Sequence, residues 1–242
     1  MSSYTGFSKI YDELINEDID YQRISDFILS ESRSRGHYLD LGCGTGNLSS
    51  LVGPSFKETY LVDLSSDMLT EAEEKFTQLN IPHESYAISM TEIGFRRKFD
   101  LITSSIDAIN YLLDEDEVQE LFRRVHHHLS DEGVFIFDVN SPYKIREVLG
   151  NNDYVLTRED LVYTWENFYE DDVVEMVLNF FIRKGRLYER IEEVHEERAY
   201  EADHLSAMLR EAGFHSITVC EDYTPRPVTE TTERITFIVR KR

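Results

Sequence analysis

Short apolar runs alternate with stretches of helical periodicity along the first 140 residues, and that alternation constrains the fold more than any other feature. Residues 37–41 (HYLDL), 59–63 (TYLVD), 99–104 (FDLITS) and 133–139 (GVFIFDV) read as buried strands, with a weaker one near 84–89. Continuously apolar strands of this length belong to parallel sheets covered on both faces. Between them, residues 65–79 carry Ser65 or Ser66 as an N-cap and an apolar stripe of Met68, Leu69, Ala72, Phe76 and Leu79. Residues 114–129 open with Asp114 and Glu117 at capping-box spacing and repeat Val118, Leu121, Phe122, Val125 and Leu129. A helix over 20–33 packs on this unit through Ile24, Phe27 and Ile28. Strand and helix in repeated alternation predict a right-handed, doubly wound α/β sheet.

The pattern changes after Asn140. Residues 161–169, 172–184 and 186–200 are strand-like, and Val174, Met176, Leu178, Phe180 and Ile182 fall at period two, with Lys184-Gly185 as a tight turn. The expected organisation is a core of residues 1–140, an antiparallel β insertion over 141–200, and residues 201–242 completing the core with a helix stopped by Gly213 and two strands.

Composition narrows the partners. The 242 residues carry 25 Lys and Arg against 47 Asp and Glu, a formal net charge of −22. Phosphate binding draws its affinity from cationic side chains, so this balance disfavours nucleic acid. No apolar run approaches a membrane span, and the first residues lack a basic flank followed by an apolar stretch. Two distant cysteines, Cys43 and Cys220, suit reduced thiols in a cytoplasmic protein.

The most informative segment is Asp40-Leu41-Gly42-Cys43-Gly44-Thr45-Gly46-Asn47, where a strand ends and a helix begins. Glycines here permit a tight turn and a close approach of backbone to ligand. A dinucleotide loop wants G-x-G-x-x-G, with glycine or alanine at position 47. Here that position is Asn47 and the third glycine comes one residue early, in a D-x-G-x-G-x-G pattern. This segment resembles motif I of the class I S-adenosylmethionine-dependent methyltransferases, small bacterial type. Further matches follow at Asp63, which ends the second strand, at Leu64, and at Ser66-Asp67-Met68-Leu69. Ser89-Met90 aligns with the pair that meets adenine, although the family normally has an Asp there. Residues 104–111 match the segment after the fourth sheet strand, and residues 137–141 resemble the fifth strand, whose end faces the substrate pocket. Tyr4-Thr5-Gly6-Phe7 and Tyr11-Asp12 resemble an aromatic lid, and residues 195–200 resemble the family's insertion.

The resemblance implies a Rossmann-like sheet of seven mostly parallel strands with an antiparallel last strand, and S-adenosylmethionine as cofactor. It implies that Asp40 takes the cofactor ammonium, that Asp63 takes the ribose hydroxyls, and that Gly42, Cys43, Gly44 and Gly46 meet the methionine part. Tyr11, Leu64, Met68, Ser89, Met90 and Ser105 complete the expected cofactor set. For chemistry, Asp107, Tyr111 and His195 are the candidates, because they lie where open α/β sheets place ligands or alternate with acids on a strand. Cys43 has no partner base in the sequence nearby and is not expected to be a nucleophile. His126-His127-His128 cannot converge on one ion from consecutive helical positions and reads as surface. No metal is expected. The acids of residues 192–197 read as a solvated edge. The aromatic-rich insertion points to a small-molecule acceptor with an N, O or C nucleophile. An RNA or protein methyltransferase, a non-catalytic cofactor-binding protein and a nicotinamide oxidoreductase are the alternatives. A homodimer through the insertion is permitted but not specified.

Overall fold

The computed structural model describes residues 19–242. Its elements in chain order begin with α1 (Tyr21–Glu31), β1 (His37–Leu41), α2 (Asn47–Val52), β2 (Glu58–Asp63), α3 (Ser66–Gln78) and β3 (His83–Ala87). Then come β4 (Phe99–Ser104), α4 (Glu115–His128), β5 (Leu129–Asn140) and a π-helical turn, Lys144–Leu149. The chain ends with β6 (Tyr154–Thr157), β7 (Leu161–Glu170), β8 (Val173–Lys184), β9 (Leu187–Arg198), α5 (Ala202–Glu211), β10 (Ser216–Glu221) and β11 (Arg234–Arg240).

Seven strands form one sheet in the order β10-β11-β5-β4-β1-β2-β3. β1 pairs in parallel with β2 and β4, β2 with β3, and β4 with β5. β11 runs antiparallel to both β5 and β10. The doubly wound, seven-stranded expectation therefore holds. Side chains alternate across the sheet. Leu39 and Leu41 pack with Val118, Leu121, Phe122 and Val125 of α4 and Leu205 and Leu209 of α5 on one face. Tyr38 packs with Ile24 and Ile28 of α1 and with Leu48 and Val52 of α2 on the other. The helix starts follow the capping residues. Ser65 accepts from the Met68 N–H at the start of α3, and Asp114 accepts from the Asp116 N–H at the start of α4.

β6-β7-β8-β9 form a second, wholly antiparallel sheet. Val174, Met176 and Phe180 are buried on its inner face, with Leu178 partly buried beside them, as their period predicts. Two expectations fail here. The acids of residues 192–197 are not uniformly solvated. On a strand they alternate, so Glu193 and Glu197 are buried while Glu192 and Glu196 are exposed. The histidine run is not uniformly surface either. His128 is buried between Phe95 and the end of α4, where its Nε2 accepts from the Phe95 N–H at 3.0 Å and its Nδ1 meets the Arg124 carbonyl at 2.8 Å. Burial lowers the His128 pKa, which keeps the ring neutral as the Phe95 bond requires. No helix among the described residues is long and apolar enough to cross a membrane.

Candidate active site

The glycine loop leaves β1 and turns back over the end of β2. The N–H groups of Gly42 and Cys43 both reach the Val62 carbonyl, at 2.8 and 3.0 Å. Gly42 has φ +69°, and a Cβ there would sit 2.8 Å from the Ala108 Cβ. Gly44 has φ +52°, and no atom lies within 4 Å of where its Cβ would stand. The loop is thus closed behind Gly42 and open in front of Gly44, the shape that admits a ligand against bare backbone. Replacing Gly42 by Ala is expected to lower both stability and cofactor affinity. Thermal melting with and without S-adenosylhomocysteine measures both, and an unchanged variant would contradict the close packing.

Asp63 braces this loop. Its carboxylate accepts from the Gly44 N–H at 2.8 Å and from the Ser65 N–H at 2.9 Å, one on each oxygen. Each oxygen keeps a lone pair for a further donor. Burial raises its pKa, opposed by those backbone donors. Asp40 is buried on β1 and accepts from the Thr103 hydroxyl at 2.6 Å. Burial raises its pKa to about 6, opposed by the hydroxyls of Thr103 and Ser49. Asp40 is therefore a buried acid that accepts from the Thr103 hydroxyl and has no ion pair among the described residues, an environment that a ligand ammonium would complete. Burial and the neighbouring acids push the Cys43 thiol up, which suits a backbone role for that residue rather than a nucleophilic one.

The other expected cofactor residues divide. Leu64 is 76% exposed beside Asp63, an apolar side chain with room to be covered. Met90 lies behind Gly42. Ser89 is engaged locally, accepting from the Thr91 N–H at 3.2 Å as it caps a short turn. Met68 packs on the Phe180 and Ile191 cluster of the second sheet and so connects α3 to that sheet. Ser105 is buried at the end of β4. Tyr11 and the rest of the expected aromatic lid lie outside the described residues.

Past β4 the chain enters a strained turn. Ile106 and Asp107 have φ of +60° and +55°. Such angles are costly, above all for a β-branched residue. The fully buried Asp138 on β5 holds the turn, accepting from the Ile106 N–H at 2.6 Å and the Asp107 N–H at 3.0 Å. The Tyr223 hydroxyl and the Arg234 guanidinium also donate to Asp138. Arg234 spans both acids, reaching the Asp107 carboxylate at 2.8 Å. Asp107 is thus ion-paired, an arrangement better suited to orienting neighbours than to taking a proton.

A cleft of about 870 Å³ lies between the sheets, and Asp107, Tyr111 and His195 all line it. The Tyr111 hydroxyl is 3.4 Å from His195 Nδ1, with the rings edge to face. Burial lowers the His195 pKa and favours the neutral ring. The walls include Tyr163, Trp165 and Phe180. Sequence reasoning missed the polar floor. Asn140 donates to Glu197 Oε2 at 2.7 Å, and Lys144 donates to Asn140 Oδ1 at 2.9 Å. Asn110 ties both sides together, donating to the Asn140 and Arg198 carbonyls.

A family model described as a methyltransferase domain matches residues 39–133. A putative methyltransferase of Bacillus subtilis strain 168, YqeM, is 33% identical over 241 residues, covering 98% of this chain and 97% of its own. The crystal structure of an S-adenosylmethionine-dependent methyltransferase from Clostridium acetobutylicum ATCC 824 is 42% identical, with a TM-score of 0.92 and 99% of each chain covered. The sugar N-methyltransferase KedS8 from Streptoalloteichus sp ATCC 53650 shares the fold at 20% identity, with a TM-score of 0.76 over 96% of this chain and 93% of its own.

Proposed function

The chain belongs to the class I S-adenosylmethionine-dependent methyltransferases, and we propose that it methylates a small molecule held in the cleft between its two sheets. When bound, the cofactor supplies an electrophilic methyl group on a sulfonium. In this reading Asp40 pairs with the cofactor ammonium, Asp63 accepts from the ribose, and the Gly42–Gly46 backbone lies along the methionine part. Leu64 and Met90 flank the adenine. Asp107, fixed by Arg234 and Asp138, sets the wall where cofactor and acceptor meet. Catalysis then rests largely on alignment and exclusion of water.

The observation that carries the small-molecule reading is the cleft itself, at the carboxyl ends of β4 and β5 and walled by Tyr163, Trp165 and Phe180. Such positions are where open α/β sheets bind ligands. Cleft cations are largely neutralised, with Arg23 on Asp222, Arg226 on Glu221 and Arg234 on Asp107 and Asp138. That pairing favours a small acceptor over RNA. The names of similar proteins, among them a sugar N-methyltransferase, lean the same way. Crystals grown with S-adenosylhomocysteine and soaked with a metabolite panel test the reading. Density for a compound against Trp165 and Tyr163 supports it, and binding only outside the cleft overturns it.

Asp40 also predicts a pH dependence. A bound ammonium favours the ionised carboxylate, so S-adenosylhomocysteine affinity is expected to fall as the pH drops below about 6. The slope is up to about tenfold per pH unit. For the free protein the linkage has the opposite sense. The folded state holds this proton up to about 6 and the unfolded carboxyl only to 3.8, so Asp40's contribution to stability is lost as the pH rises through that window. Calorimetric titration across it is the check. Asp40→Asn should flatten the affinity profile, and an unaltered slope in that variant would remove Asp40 from the ammonium site.

A further inference from the structure

β9 sends Glu197 and His195 to the same face of the cleft, roughly 7 Å apart by strand geometry. Glu197 is 3% exposed. One of its oxygens accepts from Asn140 Nδ2 at 2.7 Å, and the other has no hydrogen-bond partner among the described residues. Nor does any cation among the described residues form an ion pair with it, since the Lys144 ammonium is directed to Asn140 Oδ1. Burial and the charge of Asp107 push the Glu197 carboxyl well above the ordinary range. A buried carboxyl so placed, on the wall of a cleft, lacks a cationic donor. Beside it stands His195, neutral and edge-on to Tyr111. Farther along the same face of that sheet, Tyr163, Trp165 and Phe180 line the cleft as an aromatic wall.

We propose that Glu197 and His195 form a recognition site for an aliphatic amine, that the aromatic wall farther along the sheet takes the remainder of the molecule, and that the methyl acceptor is the amine nitrogen. This rests on the small-molecule reading of the cleft and deepens it. The amine enters as an ammonium and donates to the partnerless Glu197 oxygen. One of its protons passes to the His195 ring and from there to solvent, which leaves the nitrogen lone pair free. Asn140 and Lys144 act as positioning residues that hold the Glu197 carboxyl toward the cleft. A hydroxyl acceptor would leave the carboxyl without a cation, and a carboxylate ligand would meet two acids, Asp107 and Glu197.

The test is calorimetric binding of phenethylamine, phenethyl alcohol and phenylacetate to the full chain saturated with S-adenosylhomocysteine. The wild type should bind the amine at least tenfold more tightly than the alcohol and reject the anion. Glu197→Gln keeps the shape and the Asn140 bond, so it should lose the amine preference while retaining S-adenosylhomocysteine affinity. Amine and alcohol binding equally in the wild type would overturn the proposal whatever the variant does. So would a Glu197→Gln protein that keeps the preference. If none of the three probes binds, the small-molecule reading of the cleft fails and the amine site fails with it. Probes that bind without discrimination sink the amine site alone.

Discussion

Asp138→Ala is expected to cost about 3–5 kcal/mol of stability, the range for removing one partner of a buried ion pair. Asp138 is fully buried and receives four donors: two backbone N–H groups, the Tyr223 hydroxyl and Arg234. Its loss leaves Arg234 with Asp107 alone and frees two strained residues, Ile106 and Asp107, from the group that holds their amides. Burial pushes the Tyr223 hydroxyl pKa up and keeps it protonated, so its proton would also lose its acceptor. Asp138→Asn should cost less, because it keeps the volume and one acceptor oxygen. Urea denaturation measures both variants. A loss below about 1 kcal/mol for the alanine variant, an ordinary surface value, would show that the turn is held by something else.

Asp63→Ala should weaken S-adenosylhomocysteine binding by about tenfold or more, since losing a charged acceptor costs roughly 1.5–3 kcal/mol. Two effects act together. The ribose would lose its acceptor, and the Gly44 and Ser65 N–H groups would lose theirs. Asp63→Glu separates them, because a longer carboxylate can still meet the ribose but not both amides in the same geometry. Calorimetric titration gives the affinities. Unchanged binding in the alanine variant would mean that the ribose lies elsewhere.

The parts legible in the sequence are those set by local pattern. The apolar runs placed the sheet strands, and Ser65 and Asp114 cap the helices they precede. The glycine spacing and Asp63 placed the loop, because a left-handed turn leaves its mark in residue type. The polar floor of the cleft was less accessible. Glu197 meets Asn140 across 57 residues, and Arg234 meets Asp107 across 127. Pairings at that separation leave no periodic trace. One signal did exist. Residues 186–200 read as a strand, so Glu193, His195 and Glu197 had to share a face, and an acid run on a strand is only half solvated. His128 was hidden for a different reason. Its burial depends on Phe95 folding back over α4, which helical periodicity alone does not contain.

The most direct test of the account is the destination of the methyl group. The protein would be incubated with methyl-labelled S-adenosylmethionine and a cell extract, then separated into small-molecule, RNA and protein fractions. The cleft and its paired cations predict label in the small-molecule fraction, on a nitrogen. Label confined to RNA or protein would contradict the central claim.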